Sequence, residues 1–552
     1  MLVAVWCLAL KPHAQTRPTP PSAGPPVRLV LLIAVDQFRA DYLTRFGPPT
    51  AGLKTLTTRG AVFTDAHLEH GITVTAVGHA TMLSGATPAV SGIINNTWYE
   101  RSTQTNVESI TDDTVRIVGS AGAGGGTGAS PRRMLVTTLG DQIKQASGVP
   151  LGAVTSPRVI GISLKDRSAI LPVGHAADAA YFFRGGGFVT STYYRDALPD
   201  WVQAVNARNI VDSFAGTRWE YEGAPDGART YPSQPGAPLL DAVITSPAGN
   251  ELVLAMAESA LREERLGQRG VTDLLSVSFS SNDSVGHRYG PDSAEVRDVT
   301  RKTDLQLQRL LDLVDRQVGL GRTLVAFTAD HGVGPLPESQ AAYRLPGGRF
   351  SSSALTEAIE QALDARFGAA TWIERIANPH VYLDRTVMTE HKADPAEVRR
   401  EAANAAGQVP HVARVYTREM LIDGQAPVDR LSQRVARSYH RHRAGDLHIV
   451  LEPNWIAGAT GATHGSPYGY DSHIPLVIMG PGVSAGYFHG HVALNDLAPT
   501  LATLLGVEAP SGSEGRVLVE ALSGGTPGRR PVGLTPTAAR TPAAAARRAA
   551  AP

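Results

Sequence analysis

Val27–Asp36 reads VRLVLLIAVD, a nearly unbroken apolar run that stops at a carboxylate. A strand with one wet face alternates apolar and polar residues. A run without alternation fits a strand covered on both faces, as in a parallel sheet. Similar runs recur at Leu274–Phe279, Leu324–Phe327, Leu447–Leu451 and Pro475–Met479. Helical patterns lie between them. After Asp292, residues Val296, Val299, Leu307, Leu310 and Val314 share one helical face, and Asn495–Leu505 (NDLAPTLATLL) is another such stretch. Strands alternating with helices predict an α/β fold around a mostly parallel central sheet flanked by helices.

Two stretches break this rhythm. Residues 184–235 are rich in Tyr, Gly and Pro, and residues 344–444 form a long mixed segment; both read as insertions beside the core. Gly119–Ser130 (GSAGAGGGTGAS) lacks the Gly-Lys-Ser/Thr ending of a phosphate loop and reads as a flexible surface loop. Residues 524–552 are Ala, Pro and Arg without apolar periodicity, as in a disordered tail.

At the other end, Leu2–Leu10 (LVAVWCLAL) is apolar but too short to span a bilayer. It leads into Pro12-His13-Ala14-Gln15, where small and turn-forming residues suit a cleavage site after Ala14. Residues 1–14 therefore read as a signal peptide, residues 15–26 as a Pro-rich linker, and the product as periplasmic or secreted. No later stretch is apolar enough for a membrane span.

At 552 residues the chain has room for three to four domains of roughly 150 residues. Hydrophobic residues at 42% and charged residues at 18% are ordinary globular usage. Lys+Arg 51 balance Asp+Glu 51, so no global positive field exists to hold nucleic acid. The single cysteine, Cys7, excludes an intramolecular disulfide framework and Cys-ligated metal sites. A metal would have to be held by Asp, Glu and His.

Residues of that kind stand at the strand ends, where open α/β sheets bind ligands. Asp36 follows the first run, Asp283 and His287 follow Leu274–Phe279, and Asp330 and His331 follow Leu324–Phe327. His464 in GATHGS precedes the strand at Pro475. Three Asp and three His supply oxygen and nitrogen donors for two zinc-like cations. Thr73, Thr75, Thr81 and Ser84 in the segment Thr73–Tyr99 are candidate nucleophiles, among which composition does not choose.

The ordered set AVDQFRADYL, TAVGHATMLSG, GIINNTWYE, LKDRSAILPVGH, SNDSVGHRYG, TADHG and THGSPYGYDSHIPL resembles the alkaline phosphatase superfamily. It is most similar to bacterial alkaline phosphatases with a Thr nucleophile, relatives of the nucleotide pyrophosphatase/phosphodiesterases. The resemblance implies one catalytic domain over residues 27–523, with the insertions near 184–235 and 344–444 forming a cap beside the active site. It implies Thr75 as nucleophile, Asn96 on a phosphoryl oxygen, and Lys165 and Arg167 as the pair that marks phosphate monoesterases. It implies two Zn2+: one held by Asp283, His287 and His464, the other by Asp36, Asp330, His331 and the Thr75 oxygen. Two such ions clamp the attacking and leaving oxygens of an in-line displacement. Asn96 and the amide at the start of the helix after Thr75 are expected to donate to the phosphoryl oxygens. The substrates expected are small phosphate monoesters, with a phosphodiesterase on the same fold as the alternative and a non-catalytic metal- or phosphate-binding protein as a third reading. Val77 stands where the family usually has Pro. His79, His175 and His473 are read as supporting or structural, and the oligomeric state stays open.

Overall fold

The computed structural model describes residues 27–119, 127–224 and 227–523. The opening run becomes the strand Leu29–Val35, buried at every position. It lies inside a sheet of eleven strands. On one side it pairs in parallel with Asp273–Phe279, and on the other with Thr323–Thr328. Val159–Ser163 and then Ala179–Arg184 extend the parallel block beyond Asp273–Phe279. Five adjacent strands therefore point the same way, and their carboxyl ends form one continuous rim.

Antiparallel strands flank this block. Leu476–Met479 pairs with Thr323–Thr328 on one side, and Gly187–Ser191 with Ala179–Arg184 on the other. The far edge is the parallel pair Ala61–His67 and Gly486–Ala493. The helix Ala294–Gln317 covers the sheet with its buried face, which includes Val296, Val299, Leu307, Leu310 and Val314, and Ser293 caps it by accepting from the Val296 amide.

A second, four-stranded antiparallel sheet takes Ile373–Ala377, His380–Leu383, Leu447–Leu451 and Val412–Thr417 in that order. Helices Ser352–Phe367 and Pro395–Gly407 share its apolar core through Leu355, Ile359, Leu363, Val398 and Ala402, around Trp372. This unit lies against the central-sheet unit. Asn95 Nδ2 donates to Asn378 O at 2.9 Å across the boundary.

Three expectations change. Leu447–Leu451 belongs to the four-stranded sheet and not to the central one, because its run reports burial and not which sheet buries it. Residues 184–235 are not wholly an insertion, since Gly187–Ser191 extends the central sheet and bridges it to Thr111–Val118. Within Gly119–Ser130, Thr127–Ala129 is a strand paired with Thr111–Val118, and Ala129 and Ser130 are buried. The readings for residues 1–14, 15–26 and 524–552 lie outside the described residues.

Phe327 is fully buried in the parallel block and meets Phe38 edge-to-face at 5.8 Å. Phe327→Ala is expected to lower unfolding stability by about 3–5 kcal/mol, measured as a shift of the urea midpoint.

Candidate active site

The parallel register carries chemistry to one place. Val35 is level with Phe279, Ala34 with Thr328, and Ser278 with Ser163. The residues that follow these strands are Asp36, Asp283, Asp330 with His331, and Lys165. All five converge at the rim because the strands that deliver them are neighbours.

Asp283 and His287 sit one turn apart on the helix Ser281–Tyr289, with Asp283 Oδ1 3.1 Å from His287 Nε2. His464 joins them, its Nε2 3.6 Å from Asp283 Oδ1 and 3.2 Å from His287 Nε2. Asp36, Asp330 and His331 form a second trio, with His331 Nε2 3.4 Å from Asp36 Oδ1 and from Asp330 Oδ2. Within each trio, one ligand atom per residue lies within 4.8 Å of the others. The rings of His331 and His464 stack at 3.5 Å, so the trios adjoin.

The tautomers follow from the backbone. His287 Nδ1 lies 2.7 Å from Ala462 O, His331 Nδ1 2.9 Å from Gly332 O, and His464 Nδ1 2.8 Å from Thr73 O. Carbonyls only accept, so each Nδ1–H donates, and each ring in its neutral form keeps its lone pair on Nε2. Two such lone pairs then face each other between His287 and His464. The buried oxygens Asp36 Oδ1 and Asp330 Oδ2 have no hydrogen-bond partner. Converging lone pairs and orphaned carboxylate oxygens are what a divalent cation satisfies, so the residues present fit metal ions.

The charges point the same way. Burial pushes the Asp36 carboxyl well above the usual range, helped by Asp283 and Asp330 beside it. Burial likewise drives the His331 imidazole down to about 3, leaving it neutral. It also opposes charge on Asp283, yet Lys165 and His287 hold that carboxyl well below the usual range. Lys165 is the bridge: Nζ lies 2.6 Å from Asp36 Oδ2 and 2.5 Å from Asp283 Oδ2.

Thr75 opens the helix Thr75–Ser84 as its first residue. Its Oγ1 lies 3.4 Å from His331 Nε2 and 3.5 Å from Lys165 Nζ. An oxygen at a helix N-terminus is favoured as an anion by the helix dipole. Of the other hydroxyl candidates, Thr73 donates to Ser466 O, Thr81 to Val77 O, and Ser84 to Ala80 O. Val77 is buried at the third position of the helix, which forms without the family's Pro.

Two placements bear on the expected phosphoryl contacts. The Ala76 amide, second in the helix, already donates to Asn96 Oδ1 at 2.8 Å, so Asn96 caps the helix and keeps its Nδ2 hydrogens for another acceptor. Arg167 does not reach the carboxylates; its ion pair is with Asp166 at 3.8 Å, and its buried Nε has no hydrogen-bond partner.

Sequence reading missed Gln37 and understated His79. Gln37 donates from its amide to Asp330 Oδ1 at 3.1 Å and from Nε2 to Asp283 Oδ1 at 2.6 Å, so it holds one carboxylate of each trio. Its backbone is left-handed, φ 62°, which no sequence pattern announced. His79 Nδ1 lies 2.9 Å from Thr75 O and 3.2 Å from Asp330 Oδ2, one turn beneath Thr75, a spacing the sequence did display.

This site and fold have known counterparts. The model of the type I phosphodiesterase / nucleotide pyrophosphatase family matches residues 30–471, and the chain belongs to that family, within the alkaline phosphatase superfamily. Among its relatives is alkaline phosphatase PafA of Elizabethkingia meningoseptica, 32% identical over 91% of this chain and 95% of the other. Alkaline phosphatase PhoV of Synechococcus elongatus is 32% identical over 94% and 98%. A protein of Myroides odoratus named calcium-transporting ATPase is 33% identical over 90% and 94%. The crystal structure of wild-type PafA superposes with a TM-score of 0.82 at 32% identity, covering 91% of this chain and all of that one. No helix among the described residues is long and apolar enough to cross a membrane.

A Cβ added at Gly78 would meet Asp330 O at 2.2 Å. Gly78→Ala is therefore expected to cost about 1–3 kcal/mol of stability and to reduce activity by displacing Asp330, read from urea unfolding and turnover together.

Proposed function

We propose that the protein is an exported, zinc-dependent phosphate monoester hydrolase, an alkaline phosphatase acting through a covalent phosphothreonine at Thr75. The observation that carries this reading is Thr75 at a helix N-terminus beside two adjoining Asp/His trios, with Lys165 reaching both. Alkaline phosphatases that are 32% identical over nearly their whole length support it. Export rests on the apolar run Leu2–Leu10.

Asp283, His287 and His464 would hold one Zn2+, and Asp36, Asp330 and His331, with the Thr75 oxygen, the other. When bound, the ions supply Lewis acidity for the attacking and departing oxygens. The rest is done by the chain. Thr75 Oγ1, its proton lost to solvent, attacks phosphorus in line; the bond to the alcohol oxygen breaks, the departing alkoxide takes a proton from water, and phosphothreonine remains. Water then attacks the same phosphorus, returning Thr75 and releasing orthophosphate. The helix N-terminus favours the Thr75 alkoxide, and the free amide hydrogens of Asn96 Nδ2 suit a phosphoryl oxygen. Gln37 keeps one carboxylate of each trio oriented, and His79 holds the Thr75 carbonyl beneath the nucleophile.

Lys165 and Arg167 select the ester. A monoester carries one more negative charge than a diester near neutral pH, and an ammonium beside a guanidinium compensates it. The family model's own description favours a second reading, phosphodiesterase activity on the same fold. Comparing an aryl phosphate with its methyl diester decides between them, and a clear diester preference overturns the monoesterase. Absence of turnover on any phosphate ester by metal-replete protein would instead support a non-catalytic binding protein.

Thr75→Ala is expected to abolish turnover while zinc stays largely bound, because six side-chain ligands remain; wild-type rates would remove Thr75 from the mechanism. Lys165→Ala is expected to slow monoester hydrolysis more than diester hydrolysis, read as kcat/KM for each. Equal losses would mean that Lys165 does not read the extra charge.

A further inference from the structure

Away from the catalytic rim, another group of metal-binding side chains gathers at the edge of the central sheet. Asp65 and His67 are two residues apart on the strand Ala61–His67, so both leave the same face. Parallel pairing sets His491 opposite Asp65, and an antiparallel bridge sets His473 opposite His67. Sheet register thus brings Asp65, His67 and His473 together, with His491 beside Asp65.

The atoms are close enough to share an ion. His67 Nε2 lies 2.9 Å from Asp65 Oδ1, and His491 Nδ1 lies 3.2 Å from Asp65 Oδ2. The His67 ring stacks on His473 at 4.6 Å and stands 5.3 Å from His491. One ligand atom each from Asp65, His67 and His473 lies within 4.8 Å of the others. Hydrogen bonds again assign the lone pairs. His473 Nε2 lies 3.0 Å from Thr64 O, a carbonyl, and so donates, which frees Nδ1 as an electron-pair donor. His491 Nε2 lies 3.1 Å from Glu69 Oε1; when it donates there, the Nδ1 lone pair meets the Asp65 carboxylate, and a cation between them satisfies both. Cationic neighbours are partly neutralised. Arg437 pairs with Glu69 at 2.5 Å, Arg430 and Arg434 reach it at 3.6 Å, and Arg434 also donates to Pro467 O and Ser472 Oγ.

We propose that Asp65, His67 and His473, with His491 as a fourth ligand, form a separate binding site for a zinc-like divalent cation. Three imidazoles and one carboxylate suit zinc and its transition-metal neighbours, whereas calcium and magnesium take oxygen donors. The role is structural. His473 ends the segment that begins at His464, and Ser466 donates to Asp471 Oδ2 from its amide at 2.9 Å and its hydroxyl at 2.6 Å. Thr73 donates to Ser466 O at 2.9 Å, and the Thr73 carbonyl orients His464. An ion on His473 would pin the far end of the segment that carries His464 into the catalytic pocket.

The test is the zinc content of the folded full-length protein, measured by mass spectrometry after zinc loading and dialysis. The His67→Ala/His473→Ala double variant is expected to hold one zinc fewer per chain than wild type. Asp65→Asn, nearly isosteric and on a partly exposed face, serves as the second variant should the double variant fail to fold, and it is expected to lose the same zinc. Zinc contents equal to wild type in the folded variants would overturn the proposal. The readout is a difference between chains with identical catalytic residues, so it does not depend on how many ions the catalytic pocket holds.

Discussion

Asp36, Asp283 and Asp330 are buried together, and among the described residues the ammonium group of Lys165 lies between Asp36 and Asp283. Like charges in a water-poor pocket repel strongly, and each loses its hydration on burial. Such a cluster persists because strong tertiary structure holds it. Four adjacent parallel strands, hydrogen-bonded in fixed register and covered on both faces, end at the same level and leave these residues nowhere else to go. The protein accepts this local repulsion at the rim and stabilises it through the sheet. In return, it has a pocket whose preference for positive charge is built in before any ligand arrives.

Much of this was legible in the sequence because it lies in the strand-end pattern. Unbroken apolar runs announced doubly covered strands, and a carboxylate or imidazole directly after each run marked the rim. What a run does not encode is its partner. Leu447–Leu451 is as apolar as its counterparts, yet it completes the four-stranded sheet, since burial against the helices around Trp372 requires the same residues as burial in the central sheet. Gly187–Ser191 went unread for the opposite reason: it is short, opens with Gly and sits in a Tyr- and Gly-rich stretch, so composition masked a strand that the central sheet uses.

The site was legible where residue type determines chemistry and illegible where conformation does. Asp283 and His287 show their relation in their spacing, and the spacing of His79 from Thr75 would have shown its place beneath the nucleophile candidate. Gln37 holds both trios only because its backbone is left-handed, and Gly286 has no side chain to exclude it: a Cβ there would meet Gln37 Oε1 at 1.7 Å. Neither fact follows from an alternation or a charge. Asn96 is a third case, since its side-chain oxygen caps the helix of Thr75 by accepting from the Ala76 amide.

The three catalytic-pocket histidines are each oriented by a main-chain carbonyl, those of Ala462, Gly332 and Thr73. Every residue type has such a carbonyl. Side chains around the pocket can therefore drift over evolutionary time without disturbing the aim of the imidazoles, as long as the backbone path holds. The aim of these three imidazoles is set by the backbone course, so a change in loop length redirects them more directly than a change of side chain at the residue that supplies the carbonyl.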